Sequence, residues 1–420
     1  MPDRDPWTWW AHPELANARR MVWRDPVRRQ TVIMWGAVAE LNWDGCTPWS
    51  EYSTSVRRIL SQGHGDAEHP LAWAGMAFDR RGGEGWWSGW PATRVVVPVG
   101  LIVNDSKGTR AVLHGRPEDR AEIELDRLAI ALAEPSRAPV GATAGWTVDP
   151  CEADSAWCAR VEDAQAAMAR AEFDKVVLAT AVRYRSADGR PPSAIGTANT
   201  LRKRNPDAFC FGVSADEQHF VGASPELLVA VCRGELRTQA LAGTTARGVT
   251  AAQDALLARE LLDNAKERLE HRMVVDGIRS ALEPLCDRLQ AANGPQIVSL
   301  PAVQHLSTPV RATLRPHCDV FDALDALHPT AAVGGAPRRE AQTWLRTEPF
   351  PRGWFASPVG VLDGAGGGTF AVAIRSVLIG ANDAVAQAGA GILPASDPLG
   401  EWDEVQLKLR TSASALAVEP

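Results

Sequence analysis

The feature that most limits the fold of this chain is a series of short apolar strands that double back on themselves, with helical segments between them. The clearest reversal is at Arg233–Gly234, between the runs LLVAVC and ELRTQAL. A strand that returns after a two-residue turn pairs antiparallel with the strand before it. Because such hairpins alternate with helices, the sequence predicts an α+β fold with antiparallel sheets rather than a doubly wound parallel sheet.

Further strands and helices are predicted along the chain. Strands are expected over 94–104 and 110–115, joined by the turn DSKGT, and over 175–185, 208–213, 219–222 and 369–393, the last being two strands with a turn at 381–383. Helices are expected over 119–134, 151–171, 193–204, 320–327, 338–346 and 398–416, and one long helix over 251–290 that Pro284 should kink or end. The Pro- and Gly-containing segment 135–150 is the most linker-like part of the chain.

Composition indicates a globular protein and excludes several classes of function. Of the 420 residues, 45% are hydrophobic and 23% charged, and a net charge of −7 with scattered arginines offers no basic surface for nucleic acid. The seven cysteines are never spaced CxxC, so neither a disulfide framework nor a zinc site is indicated. No apolar stretch is long enough to span a bilayer, and the first residues do not form a signal peptide, so we expect a cytoplasmic protein without a membrane partner.

Two pairs of glutamates recur at helical spacing. Glu267 and Glu270 lie three residues apart in KERLEH, and Glu401 and Glu404 repeat that spacing in GEWDEVQLK. Side chains three residues apart project from one face of a helix, so each pair is either a solvated surface or half of an oxygen-rich site. Four carboxylates that face each other would suit Mg²⁺, completed by a substrate carboxylate and water.

Three charged residues lie in apolar surroundings. Lys175 begins an apolar strand, where an inward side chain would lose solvation and serve as a neutral base, whereas an outward one would only face water. Glu226 precedes a hydrophobic strand, where burial would keep it protonated as a proton donor; the alternative is an ordinary turn carboxylate. Arg375 lies inside an apolar strand, and a buried guanidinium needs an anionic partner.

Small residues and one lysine complete the candidate site. Gly243 and Thr244 in LAGTTARG, and Gly389 and Gly391 in AGAGIL, would let backbone amides approach a ligand, although any turn can use glycine. Lys408 lies one helical turn beyond the last glutamate of GEWDEVQLK, so it can contact that glutamate or a bound substrate.

Taken together, these segments resemble the chorismate-utilising enzyme family. The ordered motifs are FDKVVLA, GASPEL, ALAGTTARG, KERLEH, HLSTPV, LHPTAAVGG, RGWFASPVG, FAVAIRS, AGAGIL and EWDEVQLK. The similarity is strong over about 173–416, weaker over 71–115 and poor in the tryptophan-rich N-terminus. It implies one domain over 1–420, with a divergent N-terminal half over 1–140 and a catalytic half over 150–420, folded as four α/β/β/α layers with two packed antiparallel sheets.

Within the family, the chain resembles isochorismate synthases of the siderophore and menaquinone type. Lys175 stands where water-using members carry a lysine and ammonia-using members typically carry glutamine, and Ala242 stands where aminodeoxychorismate synthases carry a lysine. The resemblance implies a reversible isomerisation of chorismate, in which Lys175 activates water for attack at C2 and Glu226 protonates the departing C4 hydroxyl.

The resemblance also implies the ligands of the site. Mg²⁺ would be bound by Glu270 and Glu404, with Glu267 and Glu401 acting directly or through water. Arg375 would bind the carboxylate of the enolpyruvyl arm. The implied substrate-binding residues are Gly243, Thr244, His328, Arg375, Gly389, Gly391 and Lys408. From its apolar surroundings alone, His328, like His305, would by default be a satisfied core histidine.

Three alternatives remain open at this point. In a salicylate synthase the same site would go on to eliminate pyruvate. An inactive paralogue would bind chorismate or a protein partner, although the intact Lys175, Glu226 and four glutamates argue against loss of function. An aminating relative would need ammonia or a glutaminase subunit, and the chain carries no glutaminase segment. We expect a monomer that acts on chorismate.

Overall fold

The computed structural model of the protein describes residues 5–10, 12, 19–61, 71–81, 83–114, 146–187 and 192–416. Its strands are β1 Arg20–Asp25, β2 Gln30–Trp35, β3 Ala39–Trp43, β4 Ala72–Met76, β5 Thr93–Val97, β6 Gly100–Asp105, β7 Gly108–Leu113, β8 Trp146–Pro150, β9 Lys175–Ser186, β10 Phe209–Ala215, β11 Gln218–Ser224, β12 Leu227–Cys232, β13 Glu235–Ala246, β14 Cys286–Ala291, β15 Gln296–Ser299, β16 Val303–Leu314, β17 Gly335–Ala336, β18 Pro358–Leu362, β19 Gly368–Val372, β20 Ser376–Ile379 and β21 Asp383–Ile392. Its helices are α1 Trp7–Trp10, α2 Trp49–Ser61, α3 Asp154–Ala169, α4 Ala194–Arg204, α5 Ala251–Asp263, α6 Ala265–Leu282, α7 Val320–Leu327, α8 Arg338–Leu345 and α9 Pro398–Ala415.

The strands form two large antiparallel sheets. Sheet A has the order β17-β9-β21-β20-β11-β10-β1-β2-β6-β7, and β8 also pairs with β9. Sheet B has the order β14-β16-β13-β12-β19-β18-β4-β5-β3, and β15 also pairs with β16. Each sheet therefore combines strands from the first 114 residues with strands from the second half of the chain.

Helices pack against both sheets. Helices α3, α4 and α9 contact sheet A, and helices α5, α6 and α7 contact sheet B. The buried apolar side chains of the two sheets belong to one continuous core. This arrangement confirms the predicted α+β fold with two packed antiparallel sheets. None of the helices described is long and apolar enough to cross a membrane.

The predicted strand over 94–104 is two strands in different sheets. Strand β5 ends at Val97 in sheet B, and β6 begins at Gly100 in sheet A. Between them lies Pro98, which has no backbone N–H to donate to a ladder and so favours an interruption there. The hairpin of β6 with β7 is confirmed.

The predicted two-stranded segment 369–393 contains three strands. Strand β19 belongs to sheet B, β20 and β21 belong to sheet A, and the chain crosses between the sheets at 373–375. Arg375 adopts a φ of 53°, in the left-handed region that non-glycine residues seldom occupy. It therefore lies at a sheet-to-sheet crossing instead of inside a strand, while the predicted turn at 381–383 is confirmed between β20 and β21.

The predicted helix over 251–290 is divided at Asn264. Helix α5 ends at Asp263, and the Asn264 side chain accepts a hydrogen bond of 3.1 Å from the backbone N–H of Glu267, which caps the start of α6. Helix α6 ends at Leu282, ahead of Pro284 as expected, and β14 follows. The predicted helix over 119–134 and residues 135–145 of the linker-like segment lie outside the described residues, and 146–150 form β8.

Candidate active site

One cavity collects most of the predicted site residues. Its walls come from β9, β13, β21, α6, α9 and the crossing at Arg375. The predicted residues that line it are Glu226, Gly243, Thr244, Glu270, Arg375, Gly389, Gly391, Glu404 and Lys408. Lys175 and Glu267 contact the lining residues Glu270 and Thr244, and Glu401 is linked to Glu267 through Lys266.

Lys175 is fully buried at the start of β9. Its Nζ lies 3.0 Å from Oε1 of Glu270, but not in hydrogen-bonding geometry, and it has no hydrogen-bond partner among the described residues. Gly391, on the neighbouring strand β21, makes room for this pair, because a Cβ there would collide with Glu270 Oε1 and lie 3.1 Å from Lys175 Cε. Of the two orientations that the sequence left open, Lys175 therefore adopts the inward one.

Glu226 is a buried carboxyl between β11 and β12. Its backbone N–H donates to Ser224 Oγ at 3.2 Å, and its carbonyl accepts from the N–H of Val372 at 3.1 Å, which fixes the side chain at the cavity wall. Burial raises the pKa of Glu226 to about 8, against the opposing attraction of Lys175 and Lys408. The carboxyl is therefore protonated at neutral pH, as a proton donor requires.

The two glutamate pairs lie on helices that meet at the cavity. Asp397 caps α9 by accepting from the N–H of Gly400 at 2.9 Å, which places Glu401 and Glu404 in the first turns of that helix. Lys266 on α6 connects the two helices, because its Nζ lies 2.5 Å from Glu401 and 3.6 Å from Glu267. The sequence left open whether the two glutamate pairs lie near each other. The contacts of Lys266 show that they do.

Burial and the repulsion between neighbouring carboxylates raise the pKa of two of these acids. Burial, together with the negative charge of Glu270, raises the pKa of Glu267 to about 7, although the N–H of Thr244 donates to its Oε2 at 2.9 Å. Burial and the charge of Glu404 also raise the pKa of Glu401. Within the described part of the chain, no group of three or more His, Cys, Asp or Glu side chains is placed to hold a metal ion. Lysines instead contact all four acids, Glu267, Glu270, Glu401 and Glu404.

Arg375 brings a positive charge to the wall of the cavity. Its guanidinium forms no ion pair or hydrogen bond with the described residues, and its backbone carbonyl accepts from the N–H of Ala223 at 3.1 Å. Removal from water lowers the pKa of Arg375 to about 10, while the carboxylate of Glu404 opposes that decrease. A guanidinium held in this way is suited to bind an anionic group of a ligand.

Lys408 is anchored beside Arg375. Its Nζ lies 2.6 Å from Oε1 of Glu404 and donates to the carbonyl of Gly389 at 2.7 Å. Burial alone would raise the pKa of Glu404, but the charge and hydrogen bond of Lys408 outweigh it and the pKa is lowered. Glu404 is therefore an anion, and the predicted contact of Lys408 with it is confirmed.

A bulge in β13 shapes the wall near the acids. Gly243 has a φ of 82°, and the register against β16 shifts between Ala242 and Thr244. His305 on β16 places its Nδ1 3.0 Å from Thr244 Oγ1 and 3.3 Å from the carbonyl of Gly243. Burial and the charges of Arg375 and Lys408 lower the pKa of His305 to about 3, so the ring is neutral.

Two histidines lie in places that differ from those expected from the sequence. His328, assigned to substrate binding from the family resemblance, does not line this cavity; it is buried, and its Nε2 lies 3.2 Å from the carbonyl of Phe78. The core role is the one its apolar surroundings indicated. His305 lines the cavity although the sequence suggested only a core position. Arg352 and Gln387 also line it, and they had no motif that singled them out in the sequence.

Comparison with known proteins agrees with this site. The profile of the family described as chorismate binding enzymes matches residues 1–417. The chain therefore belongs to the chorismate-binding enzyme family, which confirms the resemblance that its motifs indicated, and it is an enzyme of that family.

Two relatives that match nearly the whole chain are isochorismate synthases. The chain is 35% identical to the salicylate biosynthesis isochorismate synthase of Pseudomonas aeruginosa, over 98% of this chain and 85% of that protein. It is 31% identical to isochorismate synthase MenF of Bacillus subtilis, over 96% and 89%.

Among solved structures, the menaquinone-specific isochorismate synthase MenF of Escherichia coli superposes with a TM-score of 0.83 at 27% identity, over 99% of this chain and 92% of that one. Anthranilate synthase component I of Streptococcus pneumoniae, at 22% identity and a TM-score of 0.77 over 92% of both chains, shares the fold.

Proposed function

We propose that this protein is an isochorismate synthase that converts chorismate reversibly to isochorismate. The names of its relatives support this assignment. The observation that carries it is a single cavity with three groups at its wall: the buried carboxyl of Glu226, whose pKa burial raises to about 8, the buried amine of Lys175, and the guanidinium of Arg375, which forms no ion pair with the described residues. An acid, a base and an anion-binding group are what a substitution of hydroxide on a carboxylate substrate needs.

The proposed reaction exchanges one water for another. Lys175 takes a proton from water as its oxygen bonds to C2 of chorismate, the ring double bonds shift, and the C4–O bond breaks. Glu226 donates its proton to the departing hydroxyl, which leaves as water. Because Lys175 is fully buried next to Glu270, the proposal requires the Glu270 carboxylate to turn away from Nζ when substrate binds.

In this proposal, the positively charged side chains of Arg375 and Lys408 orient the substrate in the cavity. Arg375 would bind the carboxylate of the enolpyruvyl arm, since this guanidinium has no partner in the described residues and faces the cavity. Lys408 lies beside it but already contacts Glu404, so it would contribute a weaker contact to the substrate. The bulge at Gly243 leaves backbone close to the ligand.

Mg²⁺ is part of the proposal. The acids Glu267, Glu270, Glu401 and Glu404 offer the oxygen donors that a hard divalent cation needs, and burial with the charge of Glu270 raises the pKa of Glu267 to about 7. Because lysines now contact these acids and no three of them converge in the described structure, the proposal requires them to exchange their lysine contacts for the ion. These four residues would hold the ion, which would bind and polarise the ring carboxylate of the substrate. Titration calorimetry with MgCl₂ on wild type and Glu267→Gln tests the binding without reference to activity, since the variant should bind the ion more weakly.

Product analysis tests the function. Purified protein is incubated with chorismate, with Mg²⁺ or with excess EDTA, and the products are resolved by chromatography. Isochorismate in equilibrium with chorismate, formed only with Mg²⁺, is the expected result. Salicylate and pyruvate without accumulated isochorismate would instead establish the salicylate synthase alternative, and unchanged chorismate would establish the non-catalytic one.

A further inference from the structure

A second cavity lies next to the active cavity and has no part in the proposed reaction. It is formed by helix α8 and by the segments 78–85 and 345–353, apart from Gly82, which is not described, and its volume is about 460 Å³. Arg352 lines both cavities. Its guanidinium is held by Glu348 at 2.6 Å and by the carbonyl of Val333 at 2.9 Å, so it forms a fixed wall between them.

The lining of the second cavity is rich in positive charge. It carries three carboxylates, Asp79, Glu84 and Glu348, and five arginines, Arg80, Arg81, Arg338, Arg346 and Arg352. Three of the arginines are neutralised by nearby acids: Arg80 by Asp325 at 2.6 Å, Arg81 by Asp79 at 3.0 Å, and Arg352 by Glu348. The other two form no ion pair in the described parts of the chain.

These two arginines, Arg338 and Arg346, lie at the two ends of α8. Arg338 is its first residue and Arg346 caps its C-terminus, and both line the cavity together with Gln342 and Leu345. Arg338 donates only to main-chain carbonyls, of Asp325 at 3.1 Å and Ala326 at 2.5 Å, which leaves its charge uncompensated. Glu84 is the one lining carboxylate for which no ion pair is found in the described residues.

The positive charge also acts on a buried neighbour. Burial, followed by the charges of Arg80 and Arg338, holds the pKa of His328 well below its ordinary value, so His328 is neutral and adds no charge of its own. Arg80 and Arg338 therefore lie near the same end of the cavity, and of these two only Arg80 forms an ion pair with a described residue.

The cavity also has an apolar side. Phe350 lies in its wall, half-buried and stacked on Trp86 with ring centroids 6.1 Å apart and an interplanar angle of 20°. Phe78 lies under the guanidinium of Arg352 at 4.2 Å. Aromatic walls beside guanidinium groups suit a flat ring that carries acidic substituents.

We propose that this second cavity binds a ring-bearing dicarboxylate, with Arg338 and Arg346 as its charge partners and Phe350 against its ring. Two guanidiniums that line one cavity and form no ion pair with the described residues fit two acidic groups, and a cavity of about 460 Å³ has room for a six-membered ring. The proposal rests on the chemistry of this lining and does not depend on the reaction assigned to the active cavity.

The experiment uses isophthalate, an unreactive ring dicarboxylate, and titration calorimetry on the full chain. The background is Arg375→Met, which removes the unpaired guanidinium of the active cavity. In that background, isophthalate should still bind at one site per chain, and adding Arg346→Met should weaken binding about tenfold, the loss expected for one charge-assisted contact. Adding Arg339→Met, on the same helix but outside the lining, should leave the affinity unchanged.

Several outcomes would overturn the proposal. If Arg375→Met alone abolished binding, isophthalate would bind in the active cavity instead. The proposal would also be wrong if Arg346→Met left binding unaffected, or if the uncharged isophthalamide bound equally well. Arg346 is exposed and forms no side-chain bond in the described residues, so its replacement should leave the melting temperature unchanged. Arg338→Met serves as a second variant and should weaken binding in the same direction.

Discussion

The two halves of this chain build the same sheets but contribute differently to the site. The residues found to line the active cavity all lie between 177 and 408. The strands from residues 20–113 instead extend both sheets away from it, as β1-β2-β6-β7 in sheet A and β4-β5-β3 in sheet B. The first half is filled with buried tryptophans, such as Trp23 stacked on Phe209 at 5.7 Å. Packing and chemistry are therefore largely separated along the sequence.

The first half nevertheless contacts the wall of the active cavity from behind, for example through Trp87. The indole N–H of Trp87 lies 3.3 Å from Oε1 of Gln387, a residue of the cavity wall, and the backbone at Gly353 leaves room for the Trp87 ring. The first half thus supports the wall from behind without reaching the substrate. The comparison teaches that the N-terminal half can diverge in sequence as long as its apolar volume is kept.

Replacing the buried amine should have the largest effect on catalysis. Lys175→Met keeps an unbranched chain of similar length but removes the base, so turnover should fall about 1,000-fold, within the range for loss of general base catalysis. Steady-state rates and thermal melting are measured together. Lys203→Met, an exposed lysine on α4, is the matched control and should be active. Turnover of Lys175→Met within a few-fold of wild type would show that the base is elsewhere.

A buried tryptophan of the first half should affect stability instead. Trp23→Ala removes a fully buried side chain from β1 and should lower the free energy of unfolding by about 3–5 kcal/mol. The kcat of the folded fraction should stay within about twofold of wild type, and Trp23→Phe should recover part of the stability. Denaturant titration and rates at low temperature measure both. A collapse of kcat with unchanged stability would contradict the separation of the two halves.

The protonation state of Glu226 should appear in the pH profile. Because the pKa of this carboxyl is raised to about 8, the acid form dominates below that pH, and the rate should decline as pH rises through about 8. Above it, kcat/KM should fall about tenfold per pH unit. Glu226→Gln should be slow and should lack this decline. The same decline in the variant would assign it to another group.

A smaller effect is expected at the contact between the two acidic helices. Lys266 lies 2.5 Å from Glu401, and Lys266→Met would free that carboxylate and relieve competition with a bound cation. We expect Mg²⁺ affinity to rise about tenfold, about 1.4 kcal/mol, in titration calorimetry. Lys203→Met again provides the control. A lower affinity in Lys266→Met would show that the lysine organises the acids and does not compete with the ion.

Local patterns predicted much of the fold. Helix α7 has the predicted bounds 320–327, and the hairpin of β12 with β13 turns at Arg233–Gly234 as expected. The patterns missed two of the places where the chain changes sheet, those at Pro98 and at Arg375. An apolar run looks the same whether it stays in one sheet or crosses to the other, because periodicity records burial and not the partner strand.

The residues of the site could likewise be predicted only in part from the sequence. Glu267 and Glu270 had to share a helix face because three residues span most of a turn, and Glu401 and Glu404 likewise. Whether Lys175 faced inward, or which histidine reached the cavity, depended on strand partners far away in sequence, as with His305 opposite Thr244 in β13. Arg352 reached both cavities through contacts that no short motif records.

The amino-acid sequence by itself determined the elements, the antiparallel class of the sheets, the spacing of the acids and the family, because these depend on neighbours within a few residues or on ordered motifs. Only the tertiary structure decided that burial raises the pKa of Glu226 to about 8, that Arg375 forms no ion pair with the described residues, and that lysines contact all four acids. Those properties depend on loss of water and on charges brought together from distant segments, and both exist only after the two sheets have packed.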